Sequence, residues 1–262
     1  FFNSALNCLK QITQYSSSEF AIRPFILAKP EIVLPMLLQW TNSDNAHIRR
    51  LASEGRRPRL PWAPALNFLK RNPSAIWLII DQLKADPDDY VYRSVANNIN
   101  DISKDHPDQV IQFASKHINS QGSLAWVVKH GCRSLLKQAQ PKILQLYGYQ
   151  NTEHIQLDYL RLKKTRLAIG DTLEFELALS SEYALGKLRI EYIIDYQKAK
   201  QKRSQKVFQL CEKNIKNKKW QTSKRQNLAQ MSTRKHYPGC HYLTIRINGQ
   251  LLASIKFELL AT

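Results

Sequence analysis

Three stretches of the sequence place a carboxylate among arginines and small residues. Their acids are Glu19, Glu54 and Asp101. A carboxylate can orient or deprotonate a water molecule, and it can stabilise positive charge that develops on a neighbouring atom. Each acid also has a structural alternative. Glu19 could pair with Arg23 four residues later, Glu54 could pair with the arginines around it, and Asp101 could cap a helix that begins near Ile102.

The overall charge indicates what kind of partner these acids face. The chain of 262 residues carries 39 Lys and Arg against 21 Asp and Glu, which gives a formal net charge of +18. Such a field attracts a polyanion, either a nucleic acid or an anionic membrane. The sequence shows neither a basic amphipathic helix nor an apolar run long enough to span a bilayer. We therefore expect a nucleic acid, and the charge disfavours a protein-interaction scaffold.

Residues up to about 149 show helical spacing of apolar residues and a repeat. Aligning Ile48, Val91 and Val127 gives intervals of 43 and 36 residues. Helix-pair repeats of the HEAT type have periods of roughly 40–47 residues, with variation, and stack into a curved solenoid. One position of this register is basic in all three repeats, which predicts a DNA-binding row rather than a merely solvated face. Its members are Arg50, Arg93 and Lys129.

After residue 149 the apolar period changes to two. Alternating residues run from Leu173 to Leu179, from Leu188 to Ile194 and from Leu243 to Ile247, and Asn248 and Gly249 form a hairpin turn signal. The pattern predicts a small all-β immunoglobulin-like sandwich. The expected domains are therefore a helical-repeat domain over residues 1–152 and a basic sandwich over residues 153–262.

Two further features bear on this organisation. The helical apolar spacing begins directly at Phe2, so we expect a helical segment to precede the first residue. The cysteines show no zinc-binding spacing, and scattered single cysteines suit a reducing cytosol. Cys211 and Cys240 could mimic the inter-sheet cysteines of an immunoglobulin fold, but a disulfide is not expected in that compartment.

Between residues 198 and 235 lie 13 basic residues and one acid, Glu212. The composition predicts a loop. Such a loop either grips phosphates without reading sequence or is a mobile, solvated insertion. The residues expected to bind DNA in this run are Lys198, Lys202, Arg203, Lys218 and Lys219.

The three acid-bearing stretches together resemble a known family. S-E-F-A-I-R-P-F (18–25), R-R-L-A-S-E-G-x-R-P-R-L-P-W (49–62) and S-V-A-N-N-I-N-D-I-S-K-D-H-P (94–107) are similar to the hallmark segments of AlkC-type alkylpurine DNA glycosylases, and K-H-G-C-R-S-L-L-K (129–137) is similar to the family's closing repeat. The resemblance covers about residues 15–149. Arg56 departs from it, since a smaller residue is expected there, and we expect this change to alter DNA contact rather than the chemistry.

The resemblance implies a mainly α fold, a HEAT-like solenoid followed by the sandwich. It implies a monofunctional glycosylase that hydrolyses the N-glycosidic bond of cationic bases in double-stranded DNA without base flipping. The lesion that it implies is chiefly 3-methyladenine, and the sequence leaves open whether 3-methylcytosine is also a substrate. By motif match the catalytic acids are Glu19, Glu54 and Asp101, and Trp62 contacts the lesion or sugar.

The expected reaction requires no metal and no cofactor, because a cationic base leaves as a neutral molecule. Arg57 and Arg59 flank Pro58 in a turn and are expected to hold phosphates, whereas His106 and His130 are expected to be structural. We further expect a monomer in the bacterial cytosol, associated with the nucleoid. The alternative is a non-catalytic HEAT-repeat protein that binds nucleic acid. The acids favour the enzyme, because a mere binder gains nothing from carboxylates among phosphate-facing arginines.

Overall fold

Residues 1–231 and 235–261 are described by the computed structural model. They fall into two units, a helical unit (Phe1–Gln138) and a strand unit (Ala139–Thr262). This division lies earlier in the chain than the 152/153 boundary that the sequence suggests. The reason is local: Asn248 donates from Nδ2 to the carbonyl of Gln150 at 2.9 Å, so the segment before the first strand contacts the last hairpin of its own unit.

The helical unit is built from short helices joined by connections that range from single residues to the twelve-residue segment between α4 and α5. Pro30 and Pro107 each occupy the first position of a helix, where a proline is tolerated, and Pro73 precedes a helix. The helices are α1 (Phe2–Ile12), α2 (Arg23–Ala28), α3 (Pro30–Gln39), α4 (Ala46–Glu54), α5 (Asn67–Arg71), α6 (Ser74–Leu83), α7 (Asp89–Ile102), α8 (Pro107–His117), α9 (Gly122–Gly131) and α10 (Arg133–Lys137).

The predicted repeat is present in three of these helices. Ile48 in α4, Val91 in α7 and Val127 in α9 are all buried, and α7 packs against both of the other helices. The approach of α9 to α7 requires a glycine. A Cβ atom on Gly131 would lie 2.6 Å from Cγ2 of Ile99 and 2.9 Å from its Cβ. A helical-repeat fold is therefore confirmed, and the helix that carries Asp101 sits at its centre.

The strand unit begins with α11 (Pro141–Leu146) and continues as two sheets. Its strands are β1 (Gln156–Leu162), β2 (Arg166–Ala168), β3 (Thr172–Ser180), β4 (Gly186–Gln197), β5 (Arg203–Ile215), β6 (Lys219–Asn227), β7 (Gly239–Ile247) and β8 (Gln250–Leu260). One sheet has the order β1-β3-β6, and the other has the order β2-β8-β7-β4-β5. Pairing is antiparallel except between β2 and β8.

The alternating residues of the sequence form the core between the sheets. Phe175 of β3, Tyr192 of β4 and Phe257 of β8 belong to one buried cluster. The β7–β8 turn consists of Asn248 and Gly249, whose φ angles are 47° and 89°, as the two-residue hairpin signal predicts. The predicted strands and the immunoglobulin-like domain are therefore confirmed.

The prediction that the basic run (residues 198–235) forms a loop is wrong. Most of it is not a loop, because residues 203–215 and 219–227 form β5 and β6. Each is an edge strand of its sheet. Residues 232–234 of the run lie outside the described residues. The cysteine comparison is wrong as well, because Cys211 in β5 and Cys240 in β7 are free thiols of the same sheet and cannot mimic an inter-sheet pair.

Candidate active site

The site is built on the contact between α4 and α7. Each helix begins at a side-chain cap: Asn45 accepts a hydrogen bond from the backbone of His47, and Asp88 accepts one from that of Tyr90. Between the helices, Ser94 Oγ donates to Ser53 Oγ at 2.8 Å. These small side chains allow close packing and fix the register of the two helices.

Glu54 and Asp101 are joined by one guanidinium. Arg57 donates from Nη1 to Glu54 Oε1 at 2.8 Å and from Nε to Asp101 Oδ2 at 3.0 Å. The side chains of Glu54 and Asp101 are only 8% and 2% exposed. Burial alone would lower the pKa of Arg57, but the two carboxylates outweigh it and raise that pKa. Two acids from successive repeats therefore converge on one cation.

Asp101 is not a helix cap. It lies in the last turn of α7, which ends at Ile102, so the structural alternative suggested by the sequence is wrong. The opposite carboxylate oxygen, Oδ1, is 3.4 Å from the Nζ of Lys104. Asp101 thus accepts from two cations while its side chain is almost fully buried.

The turn that follows α4 is held by Arg23. Its Nη1 donates to the carbonyls of Gly55 at 3.1 Å and Arg57 at 2.9 Å, and its Nε donates to the carbonyl of Pro64 at 3.0 Å. Burial, together with the neighbouring Arg57, lowers the pKa of Arg23 to about 10. Arg23 is therefore occupied by backbone groups, and the suggested pairing with Glu19 is wrong.

Glu19 pairs with Arg50 instead. Arg50 Nη1 lies 3.0 Å from Glu19 Oε2, and Arg50 Nη2 lies 3.8 Å from Glu54 Oε1. Ser17 also donates its hydroxyl to Glu19. Burial opposes ionisation of Glu19, but the hydrogen bonds from Ser17 and Arg50 outweigh it and hold the pKa below its usual value. All three predicted acids thus belong to one chain of ion pairs.

Arg56 has a role that the sequence analysis misassigned. Its side chain is buried and donates to the carbonyl of Ala75 at 2.9 Å and to the carbonyl of Leu34. Burial lowers its pKa to about 9. The expectation that Arg56 alters DNA contact is wrong, because the guanidinium faces the interior and joins three segments of the helical unit.

Trp62 lies at the opposite extreme of exposure. Its side chain is 98% exposed, and its φ angle is 66°, a left-handed conformation that a bulky residue rarely adopts. A tryptophan that is almost fully exposed at a strained backbone position is not part of the core. The ring is available for a ligand.

Comparison with known proteins identifies the family. The model of the DNA alkylation repair enzyme family matches residues 12–135, and that of the YhaZ C-terminal Ig-like domain matches residues 156–261. The chain is 43% identical to the uncharacterized protein YhaZ of Bacillus subtilis (strain 168) over 258 residues, which are 98% of this chain and 72% of that protein. The chain belongs to the DNA alkylation repair enzyme family.

A solved structure supports the same relationship. This chain resembles Pseudomonas fluorescens alkylpurine DNA glycosylase AlkC bound to DNA containing an abasic site analog, with a TM-score of 0.93 and 36% sequence identity. The match covers 99% of this chain and 73% of the other. The AlkC-type resemblance expected from the three motifs is therefore confirmed.

Three other residues of the helical unit that were predicted to contact DNA differ in exposure and in their partners. Arg59 pairs with Asp105 at 2.6 Å, and its side chain is partly exposed. Arg93 is well exposed, pairs with Asp89 at 3.1 Å and lies over the ring of Trp126. Lys129 is exposed on α9. Contact of these residues with DNA stays a prediction.

In the Ig-like domain the predicted contacts cluster near β5. Lys218 and Lys219 are exposed where β5 passes to β6, and Lys202 is exposed just before β5. Arg203 pairs with Asp195 at 2.8 Å. Lys198 is half-buried and donates to the carbonyl of Lys235 at 3.3 Å. These five positions also remain predictions with respect to DNA.

The two histidines singled out by the sequence have structural surroundings. His106 Nε2 lies 2.8 Å from the carbonyl oxygen of Lys70. His130 stacks on Trp126 with ring centroids 4.4 Å apart, and burial together with the nearby Arg133 and Arg93 lowers its pKa to about 4. Neither ring contacts the acids.

The described residues contain neither a candidate metal site nor a helix that could span a membrane. Within residues 1–231 and 235–261, His, Cys, Asp and Glu side chains form no group of three or more that could hold a metal ion. Over the same residues, every helix is too short or too polar to cross a bilayer.

Proposed function

We propose that the protein is a monofunctional DNA glycosylase that hydrolyses the N-glycosidic bond of cationic alkylated bases in double-stranded DNA. Family membership supports repair of alkylated DNA. The similar AlkC structure is that of an alkylpurine DNA glycosylase bound to DNA with an abasic site analog, which supports DNA as the partner. The proposed lesions are 3-methyladenine and 3-methylcytosine.

The observation that carries this proposal is the pair of buried carboxylates held by Arg57. A 3-alkylated base already bears a positive charge and leaves as a neutral molecule, so no acid is needed. The sugar then develops oxocarbenium character, and a fixed carboxylate stabilises that charge more in the transition state than in the ground state. Asp101 and Glu54 are the groups proposed to provide this field, with one of them orienting the attacking water.

The geometry favours preorganisation over flexibility. Arg57 restrains both acids at hydrogen-bond distance, and Arg50 restrains Glu19 and approaches Glu54. Fixed charges need no reorganisation when the sugar charge appears, and they act more strongly where water is scarce. Glu19 is the third proposed catalytic acid, placed by the same ion-pair chain.

Trp62 is proposed to contact the lesion or its sugar. A cationic base is attracted to the face of an indole ring, and this attraction is lost once the base leaves as a neutral molecule. The exposed ring would therefore help to select charged lesions. We propose that the base is excised without being flipped into a pocket, as the family resemblance implies, by a HEAT-like monomer that works in the cytosol.

Base release from methylated DNA tests the proposal directly. Duplex DNA treated with a methylating agent is incubated with the protein, and free bases are separated by chromatography. We expect 3-methyladenine to be released, and Asp101→Asn and Glu54→Gln to release far less. An oligonucleotide containing a single 3-methylcytosine tests the wider substrate range.

The alternative function is a non-catalytic nucleic-acid-binding protein. It predicts binding to the same DNA with no release of base above that of a protein-free incubation. That result, obtained with folded protein that binds the duplex, would rule out the glycosylase.

The matched control for Asp101→Asn is Asp105→Asn. It removes a carboxylate four residues after Asp101 that pairs with Arg59 at the surface.

A further inference from the structure

Arg50 occupies an unusual position for a residue expected to bind phosphate. Its Nη1 donates to Ser17 Oγ at 2.5 Å and to Glu19 Oε2 at 3.0 Å. Its Nη2 lies 3.4 Å from Glu19 Oε1 and 3.8 Å from Glu54 Oε1. The side chain is only 13% exposed. The guanidinium edge is therefore directed at carboxylates rather than at solvent.

Tyr90 covers the face of the same guanidinium. The Cζ of Arg50 lies 4.5 Å from the centroid of the Tyr90 ring, and the ring is contacted edge-on by His47 at 5.4 Å. Tyr90 is the second residue of α7 and immediately precedes Val91. An aromatic residue of the next repeat thus supports an arginine of the preceding one.

The next repeat provides an internal comparison. Arg93 has the same register position as Arg50, and its Cζ lies 5.5 Å from the ring of Trp126, which immediately precedes Val127. Its side chain, however, is 59% exposed, and its ion pair is with the exposed Asp89 on its own helix. The same arginine–aromatic unit therefore occurs twice, facing the acids in one repeat and solvent in the other.

We infer that Arg50 is a positioning residue for Glu19 and Glu54 rather than a phosphate ligand, and that Tyr90 holds its guanidinium plane. The inference rests on the proposed function, since it concerns the acids of that reaction. An arginine has a rigid planar fork, so a ring on its face and two acids at its edge determine its orientation completely. Misplacement of catalytic groups by about 1 Å can reduce a rate by roughly 100-fold.

The test compares two variants that remove the same chemical group. Arg50→Gln and Arg93→Gln each delete one stacked guanidinium and one positive charge. For each we measure the single-turnover rate of base release at saturating protein and the salt dependence of binding to undamaged duplex DNA. Loss of one phosphate contact makes the log–log salt slope shallower by about 0.9. Lys116→Gln, which removes an exposed charge on α8, controls for the change in overall charge.

Arg50→Gln is expected to lower the single-turnover rate by roughly 100-fold and to change the salt slope by less than half of one phosphate contact. Arg93→Gln is expected to show the larger change in slope and the smaller change in rate. A slope that is shallower by a full contact in Arg50→Gln, with the rate retained, would overturn the inference. If Arg50→Gln does not fold, Arg50→Lys replaces it for the rate measurement, because lysine keeps the charge but loses the planar fork, and a retained rate in that variant would overturn the inference.

Tyr90 is tested by a double-mutant cycle with Arg50. Tyr90→Leu removes the aromatic face and is expected to slow base release about tenfold, whereas Tyr90→Phe keeps the face and most of the rate. In the Arg50→Gln background, Tyr90→Leu should have little further effect. Additive losses in the double variant would show that Tyr90 acts independently of Arg50.

The two proposals fail in different ways. If the wild-type protein releases no base, the proposed function fails, while the salt slopes of Arg50→Gln and Arg93→Gln still decide whether Arg50 binds phosphate. If the wild type releases base and Arg50→Gln retains its rate, the positioning role alone is wrong.

Discussion

Replacing Asp101 with asparagine is expected to abolish most base excision while leaving the fold in place. The amide keeps the shape of the side chain and one acceptor oxygen, but it removes the negative charge. A unit charge about 4 Å from a developing cation contributes roughly 4 kcal/mol at an effective dielectric constant of about 20. That value corresponds to a rate loss of about 1000-fold.

Two features of the structure determine how much rate is lost when the charge of Asp101 is removed: one strengthens the effect and the other weakens it. The Asp101 side chain is nearly inaccessible to solvent, so screening by water is weak. Arg57 at 3.0 Å and Lys104 at 3.4 Å partly neutralise the carboxylate, so the full Coulomb value is an upper bound. Arg57 keeps Glu54 as a partner in the variant, and the cost in stability should therefore be modest, about 1–2 kcal/mol.

The assay is the single-turnover release of 3-methyladenine, with duplex binding and thermal unfolding measured on the same preparations. Asp105→Asn is the matched control, because it changes the same residue type on the following turn and is expected to keep the wild-type rate. A rate for folded Asp101→Asn within tenfold of the wild type would refute the electrostatic role of this carboxylate.

Four other predictions concern the rest of the chain. Trp62→Ala should slow base release with little change in stability, because the ring is almost fully exposed; loss of stability without loss of rate would contradict this. Replacing Lys218 and Lys219 with glutamine should weaken DNA binding and make its salt slope shallower by up to about 1.8, with the rate at saturation nearly unchanged; an unchanged slope would exclude phosphate contacts there. Gly131→Ala should lower the free energy of unfolding by about 1–3 kcal/mol, as measured by urea denaturation, because its methyl group overpacks the α7–α9 contact. The folded pKa of His130 is about 4 and the usual value is 6.5, so the unfolded chain binds more protons between those values and stability should fall as pH drops from about 6.5 to 4; His130→Gln should reduce that slope in thermal unfolding measured across the window.

The sequence was sufficient for the strands and repeats whose apolar residues keep a regular period. Leu173–Leu179 alternates without interruption and forms β3, and the equivalent residues Ile48, Val91 and Val127 are all buried in helices. These predictions succeeded because a strand or helix that buries one face must carry apolar residues at a regular interval along that face.

The strands of the basic run could not be predicted from an apolar period, and the reason is physical. The inward-facing positions of β6 include Trp220, Thr222 and Lys224, so only one of these three is strongly apolar. An edge strand buries little on one face and leaves the other in water, and its sequence then resembles a solvated loop. Composition alone could not distinguish the two.

The acidic residues of the candidate site could be predicted from the sequence, but the ion pairs that join them could not. The motifs identify Glu54 and Asp101, but nothing in the spacing shows that Arg57, which lies 44 residues before Asp101, bridges the two acids. Arg56 and Arg57 are neighbours in sequence, yet one faces the interior and the other faces the acids. Tyr90 was missed, although a signal existed, since Tyr90 and Trp126 stand one residue before the aligned valines.

The position of β5 and β6 at the sheet edges has a consequence for self-association. An edge strand presents unpaired backbone groups that can recruit a strand from another molecule, and lysines along the edge discourage such pairing by repulsion. Lys206 and Lys213 in β5 and Lys224 in β6 are therefore expected to oppose edge-to-edge pairing, whether or not they meet DNA. Bound phosphates would neutralise such charges, so molecules crowded on one duplex would lose part of that protection. Variants in which several of these lysines are replaced at once should therefore be less soluble than the wild type, although their core is unchanged.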